Sequence, residues 1–173
     1  QSYVRFLKAF QPQSELEQSQ KRDALRRVYR RALETPLADA ELVWNDYMQF
    51  EREVDRTLAE RVQEAYAPVY TRARGVFAER RRLMDGLERD RLATPPWARA
   101  GAPGAARQYL LWHRLLAFEQ QNPERLEDGD ALARRVTFTF ELALQPLARH
   151  VAIWHEYAQY LLRAGRDDDA WRV

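Results

Sequence analysis

Bulky apolar residues recur along this chain every three or four positions, the spacing of one face of an α-helix. The clearest case is Trp44, Tyr47 and Phe50 with Glu51 behind them, in a stripe that Val43 and Val54 extend. The motif returns as Trp112, Leu115, Phe118 and Glu119, and again as Trp154, Tyr157 and Tyr160. Tyr3 and Phe6 stand in the same phase at the start, as in a copy cut just after its Trp. No strand-like alternation stands out, and Gly (6) and Pro (8) are scarce, so the pattern predicts an all-α chain.

An ordinary core helix accounts for any one aromatic stripe. A second element alternating with the first points further. It reads Leu25-Arg26-Arg27-Val28-Tyr29, then Ala73-Arg74-Gly75-Val76-Phe77, then Ala133-Arg134-Arg135-Val136, and Ala170 to Val173 could open another copy. Tandem helix pairs of this kind mark an α-solenoid, in which each pair buries its face by stacking on its neighbours. The periods are uneven: Tyr47 to Leu115 and Leu115 to Tyr157 both exceed the roughly 34 residues of a tetratricopeptide. Longer loops absorb such irregularity at small entropic cost.

The predicted elements are a helix over 1–10, a polar connection over 11–20, and an Arg-rich helix over 21–34 that Thr35-Pro36 stops. A helix over 39–54 follows, with Asp39 placed to cap it. Residues 57–91 read as a long helical stretch that Pro68 kinks or interrupts. The Pro- and Gly-rich segment 93–106 is an inter-repeat loop. Helices over 107–121, 131–143 and 149–163 complete the chain, the middle one stopping near Pro146 and the last capped by Gly165. Grouped by repeat, the chain is one array fragment over 1–173: a partial repeat at 1–34, then repeats at about 39–91, 107–145 and 149–173, the last incomplete. Trp44, Trp112 and Trp154 head equivalent stripes and are expected in equivalent buried slots.

Taken together these residues resemble HAT (half-a-tetratricopeptide) repeats, and more narrowly the suppressor-of-forked family, the HAT subunits of cleavage stimulation factor. The resemblance rests on Arg26 to Arg31, on Leu42 to Tyr47 with Phe50-Glu51, on Gly86-Leu87, and on Pro95-Pro96. Beyond the loop it rests on Trp112, Phe118-Glu119, Asn122-Pro123 leading into an acidic turn, and Ile153 to Tyr160. Its generic part is shared with splicing-factor HAT proteins such as crooked neck, which stay open as an alternative. Pro68 and Leu115 depart from the family pattern. The resemblance implies a nuclear scaffold in messenger RNA 3'-end cleavage and polyadenylation, with other subunits of that machinery as partners. It also implies a homodimer made through a carboxy-terminal HAT half and a proline-rich tail, both expected to lie outside this chain, which starts without Met and stops inside the pattern.

Composition and charge narrow the chemistry. Cysteine is absent, which excludes disulfides and Cys-based zinc sites. Formal net charge is only +2, and all but two of the 28 basic residues are Arg, a skew read as genome composition more than chemistry. No apolar run is long enough to span a membrane. His113 and His155 each follow the repeat Trp in the slot of Asn45, while His150 and His155 do not share a face, so no metal site is expected. Glu51 and Glu119 belong to successive repeats and suit helix-end or inter-repeat hydrogen bonds better than acid-base catalysis. No catalytic residue and no cofactor are expected. Glu79 to Arg82 reads as a solvated face with Arg81–Asp85 and Asp85–Arg89 pairs. Arg22, Arg26 and Arg30 form one stripe suited to an acidic protein surface or phosphate. No aromatic ladder accompanies it, so direct RNA binding is the alternative and protein docking the expectation.

Overall fold

The computed structural model describes residues 2–90, 92–93 and 104–173, which form helices joined by turns. In chain order these are α1 (Ser2–Ala9), α2 (Glu15–Glu34), α3 (Ala40–Val54) and α4 (Arg56–Met84), then α5 (Gly104–Gln120), α6 (Gly129–Leu147), α7 (Val151–Arg163) and α8 (Asp167–Ala170). Among the described residues no helix is long and apolar enough to cross a membrane. Two compact units divide at Ala78 and Glu79, inside α4.

In the first unit α2 packs between α1 and α3, and the aromatic side chains of α3 also meet α4. Leu25, Tyr29 and Leu33 of α2 face Tyr47 and Met48 of α3, with Val62 of α4 completing the buried cluster. Tyr29 and Tyr47 stack at 5.1 Å between ring centroids, and Tyr66 meets Tyr47 edge-on at 6.3 Å. In the second unit α6 packs between α5 and α7. Its core joins Trp112 and Leu116 of α5, Val136 and Phe140 of α6, and Ile153 and Tyr157 of α7.

Local chemistry sets the helix ends, and not always where the pattern predicts. Helix α2 begins at Glu15 instead of 21: Ser14 accepts from the Glu17 N–H at 3.2 Å, and the Glu17 carboxylate accepts from the Gln13 N–H at 2.7 Å. Asp39 makes no side-chain capping bond, which corrects the role expected of it. Asp55 instead serves two helices. Its N–H closes α3 on the Glu51 carbonyl at 2.8 Å, and its carboxylate caps α4 by accepting from the Thr57 N–H at 2.8 Å. Gly165, at φ +69°, closes α7 as expected, with the Arg166 N–H reaching the Leu161 carbonyl at 2.9 Å.

Pro68 does not interrupt α4, which is helical from Arg56 to Met84. Pro68 and Glu64 are both exposed, so water can pair with the Glu64 carbonyl that Pro68 leaves without a donor. The long stretch ends at Met84 instead of 91, where Gly86 turns the chain at φ +77°. Of the predicted loop, residues 94–103 lie outside the described residues and Gly104 already belongs to α5.

The Trp slots are not equivalent. Trp112 is fully buried, whereas Trp44, stacked on Tyr70 at 5.0 Å, and Trp154, donating to the Ala148 carbonyl at 2.7 Å, are half-buried. A helix turns about 100° per residue, so successive motif positions three apart drift by about 60°. Tyr47 and Tyr157, in the middle, are therefore buried, while Phe50 and Tyr160 at the far end are half-buried; in the second copy the stripe is rotated to favour Trp112 and Leu115, leaving Phe118 half-buried. Trp112→Ala is expected to cost about 3–5 kcal/mol in urea unfolding, and Trp44→Ala and Trp154→Ala each about half as much.

Candidate functional site

The same helical arithmetic places the recurring glutamates. The seventh residue after the Trp returns to within about 20° of it, so the carboxylate that ends the motif points into the helix packing. Glu51 is fully buried and Glu119 is 3% exposed. A buried carboxylate needs a paired and hydrogen-bonded cation.

Glu51 obtains its cation from α2. Arg26 Nε and Nη2 donate to the two Glu51 oxygens at 2.8 and 2.9 Å, a bidentate fork. The bond to Glu51 raises the Arg26 pKa, against a smaller opposing effect of burial. One turn along, Arg30 donates to the Tyr47 hydroxyl at 3.3 Å and lies over the Tyr66 ring at 5.2 Å. The stripe of Arg22, Arg26 and Arg30 is therefore no free basic surface: two of its members are turned onto the adjacent helices. Arg22 alone carries no ion pair or hydrogen bond among the described residues. The reason is that Arg26 and Arg30 flank Leu25 and Tyr29, the buried line of α2, and their long stems run along it toward α3.

Glu119 is held from both sides. Arg80 of α4 donates to its two oxygens at 2.6 and 3.0 Å, and Arg135 of α6 approaches at 3.4 Å. Glu124 joins them, 2.6 Å from Arg80 and 3.3 Å from Arg135. Burial pulls the Arg80 pKa down, and the bonds to Glu119 and Glu124 outweigh it and leave it raised. Glu124 reaches this cluster because Asn122, at φ +53°, clamps its own loop. The Asn122 side-chain amide donates to the Leu126 carbonyl at 2.9 Å and accepts from the Leu126 N–H at 2.8 Å. Gln108 holds the turn after α4 likewise, donating to the Gly86 carbonyl at 2.9 Å and accepting from the Glu88 N–H at 3.0 Å.

Arg80, expected on a solvated face, instead lies inside: its side chain is 12% exposed. The signal was present, since Ala73, Val76 and Arg80 continue one helical line. The Arg81–Asp85 and Asp85–Arg89 pairs do not form, and Arg82 pairs instead with Glu79 at 2.6 Å. In the third copy the glutamate position is Leu161, 1% exposed, and no guanidinium is called on there.

The histidines belong to the second unit. His113 and His155 are exposed, His113 standing 3.9 Å from Glu156 and His155 2.8 Å from Gln159. His150 stacks on Tyr109 at 5.9 Å.

Polar contacts also tie α1 to the first unit. Lys8 pairs with Asp46 at 2.6 Å, and the Tyr29 hydroxyl donates to the other Asp46 oxygen at 2.5 Å. Burial, with Asp46 adding, pushes the Tyr29 pKa well up, which keeps its hydroxyl a donor. Burial pushes Asp46 up, but the bonds from Lys8 and Tyr29 outweigh it and hold its pKa below the ordinary 3.8.

These features define a helical-repeat protein whose buried charges bind helix to helix. The model of the suppressor of forked protein family matches residues 1–173, and the chain belongs to that family. It is 32% identical over 171 residues to cleavage stimulation factor subunit 77 of Arabidopsis thaliana, covering 99% of this chain and 23% of the relative. It is 34% identical over 166 residues to protein suppressor of forked of Drosophila melanogaster, covering 96% and 21%. Against the mRNA 3'-end-processing protein rna14 of Schizosaccharomyces pombe the identity is 32% over 160 residues, covering 92% and 21%. A crystal structure of CstF-77 matches with a TM-score of 0.66 at 18% identity, over 98% of this chain and 33% of that one, which shows the HAT-repeat fold. The chain spans about a fifth of the length of the curated relatives it matches.

The Lys8–Asp46–Tyr29 contact gives a pH test. A depressed folded-state pKa means that Asp46 stabilises the fold above its unfolded value and that this contribution disappears as pH falls through the folded value. Asp46→Asn is expected to lower the urea midpoint near neutral pH, and the gap to the wild type to close as pH drops below 3.8.

Proposed function

We propose that this chain is a protein-protein interaction scaffold of nuclear pre-mRNA 3'-end cleavage and polyadenylation, and that it performs no catalysis. The observation that carries this reading is the match along the whole chain to a family whose relatives are named for cleavage stimulation and 3'-end processing. The chemistry agrees with it: the buried carboxylates Glu51 and Glu119 are taken up by Arg26, Arg80 and Arg135 in holding helices together. Other subunits of the 3'-processing machinery are the partners, and the homodimer contact belongs to a carboxy-terminal half of the longer protein. The array is read as a partial repeat at 1–34 followed by repeats at about 39–91, 107–145 and 149–173.

Direct RNA binding through the stripe loses its main support, because Arg26 and Arg30 are engaged inside the first unit. Reversing the stripe is no longer a clean probe either. Arg26→Glu sets two carboxylates face to face at the buried Glu51 and costs folding before it costs binding.

The test is competition in a nuclear extract. Excess chain is expected to titrate partner subunits and suppress cleavage of a polyadenylation substrate in a dose-dependent way, while splicing of a control intron proceeds. Single-stranded RNA is expected to bind more weakly than about 1 μM at physiological salt. Inhibition of splicing alone, or tight RNA binding with a steep salt slope, contradicts the proposal.

A further inference from the structure

In the first two copies of the aromatic motif, the positions next to the Trp, one turn on and two turns on border an open recess. In α3 these run from Asn45 to Arg52, and in α5 from His113 to Gln120. In the second unit the recess is a groove of about 300 Å³ between α5 and α7, with Leu116, Ala117 and Tyr160 as its apolar floor. His113 and Glu156 stand 3.9 Å apart across it, and Gln120 and Arg163 lie two turns further along the same two helices. Both walls pack on α6, so the groove lies between successive repeats.

The charge left free in this groove has one sign. Glu156, the one carboxylate in the lining, accepts from the Tyr109 hydroxyl at 2.8 Å on one oxygen and faces His113 with the other. That bond, with burial adding, raises the Tyr109 pKa and keeps its hydroxyl a donor. Arg163 is exposed, has no ion pair among the described residues, and gives one N–H to Gln159 at 3.2 Å. The Gln120 amide is exposed and has no hydrogen bond among the described residues. The acidic run Asp167 to Asp169, beyond the Gly165 turn, does not line the groove. In the recess beside α3, by contrast, Glu53 balances Arg52 and no charge is selected. A nucleic-acid strand fits the α5–α7 groove poorly, because a single guanidinium lines it and its rings are already engaged. Tyr160 meets Phe140 at 5.8 Å and His113 meets Tyr109 at 6.1 Å.

We propose that the α5–α7 groove docks a short acidic segment of a partner protein, with an Asp or Glu carboxylate held by Arg163 and Gln120 and one large apolar side chain on the floor. Charge-assisted hydrogen bonds from the guanidinium set the direction of the segment, and apolar contact with the floor supplies affinity. The inference rests on the scaffold reading in expecting a protein partner, and it names the surface that partner meets and the sign of charge it brings.

Random dodecapeptides displayed on phage are to be selected against this chain, and the enriched sequences remade as labelled peptides for fluorescence anisotropy. Enriched peptides are expected to place an Asp or Glu close to a large apolar residue. Arg163→Ala is expected to weaken them about tenfold, the effect of losing a hydrogen bond to a charged group. Gln120→Glu, which sets a carboxylate beside Arg163, is expected to weaken them by a similar factor. Arg114→Ala removes an exposed cation about 100° round α5 from His113, outside the groove, and is expected to leave binding unchanged. All three side chains are exposed, and the urea midpoint is expected to hold in each variant. Selection of nothing, or enrichment of basic or uncharged peptides, overturns the proposal. So does an equal loss with Arg114→Ala, which makes the attraction one of general positive charge. Tighter binding of an oligouridylate, or self-association, that Arg163→Ala abolishes also overturns it, by assigning the groove to RNA or to a second copy. Failure here beside successful competition in the extract leaves the 3'-processing reading standing, and success here without that competition leaves the groove standing alone.

Discussion

The packing of α3 on α2 and of α5 on its neighbours depends on a carboxylate that cannot stay unpaired. In the first two copies of the aromatic motif the glutamate behind it falls back toward the Trp line and is carried inside. Leaving water there is costly unless a guanidinium arrives in a fixed geometry. Arg26 answers Glu51, and Arg80 with Arg135 answers Glu119. A bidentate fork admits little sliding, so it fixes the rotation and register of one helix on the next more strictly than apolar packing does. Where the third copy carries Leu161 instead, rings take over: Phe140 stacks on Tyr157 at 4.9 Å and meets Tyr160 at a tilt at 5.8 Å.

This constraint explains why an exposed-looking basic stripe is a structural device. Arg26 and Arg30 are needed by the interior, as is Arg80 in the middle of a run of charges. Buried charges set the spacing of the helices, which suits a chain proposed to act as a scaffold. The family match supplies the process in which that scaffold is proposed to act.

The helices were legible in the sequence because three- and four-residue spacing of aromatics is a strong, local signal. The ends of α2 and α4 were less so. Helix α2 starts early because Ser14 and Glu17 cooperate, a capping signal that the polar character of the segment masks. Pro68 does not break α4, since at an exposed position water can replace the lost bond. The candidate site was harder to read, because a sequence shows which residues share a helix face but not which neighbouring helix receives them. Arg22, Arg26 and Arg30 do share a stripe; that the stripe turns inward depends on Glu51 and Tyr47 across the interface.

The central claim is that buried carboxylate–guanidinium pairs, more than the aromatic stripes alone, fix how successive helices meet. A double-mutant cycle on Arg26 and Glu51 tests it most directly, using Arg26→Leu, Glu51→Leu and the pair together in urea unfolding. Each single change is expected to cost about 3–5 kcal/mol by stranding its partner, with the double recovering part of the loss and a coupling energy of about 1–3 kcal/mol. Additive losses within about 0.5 kcal/mol would show the two side chains acting independently and would contradict the account.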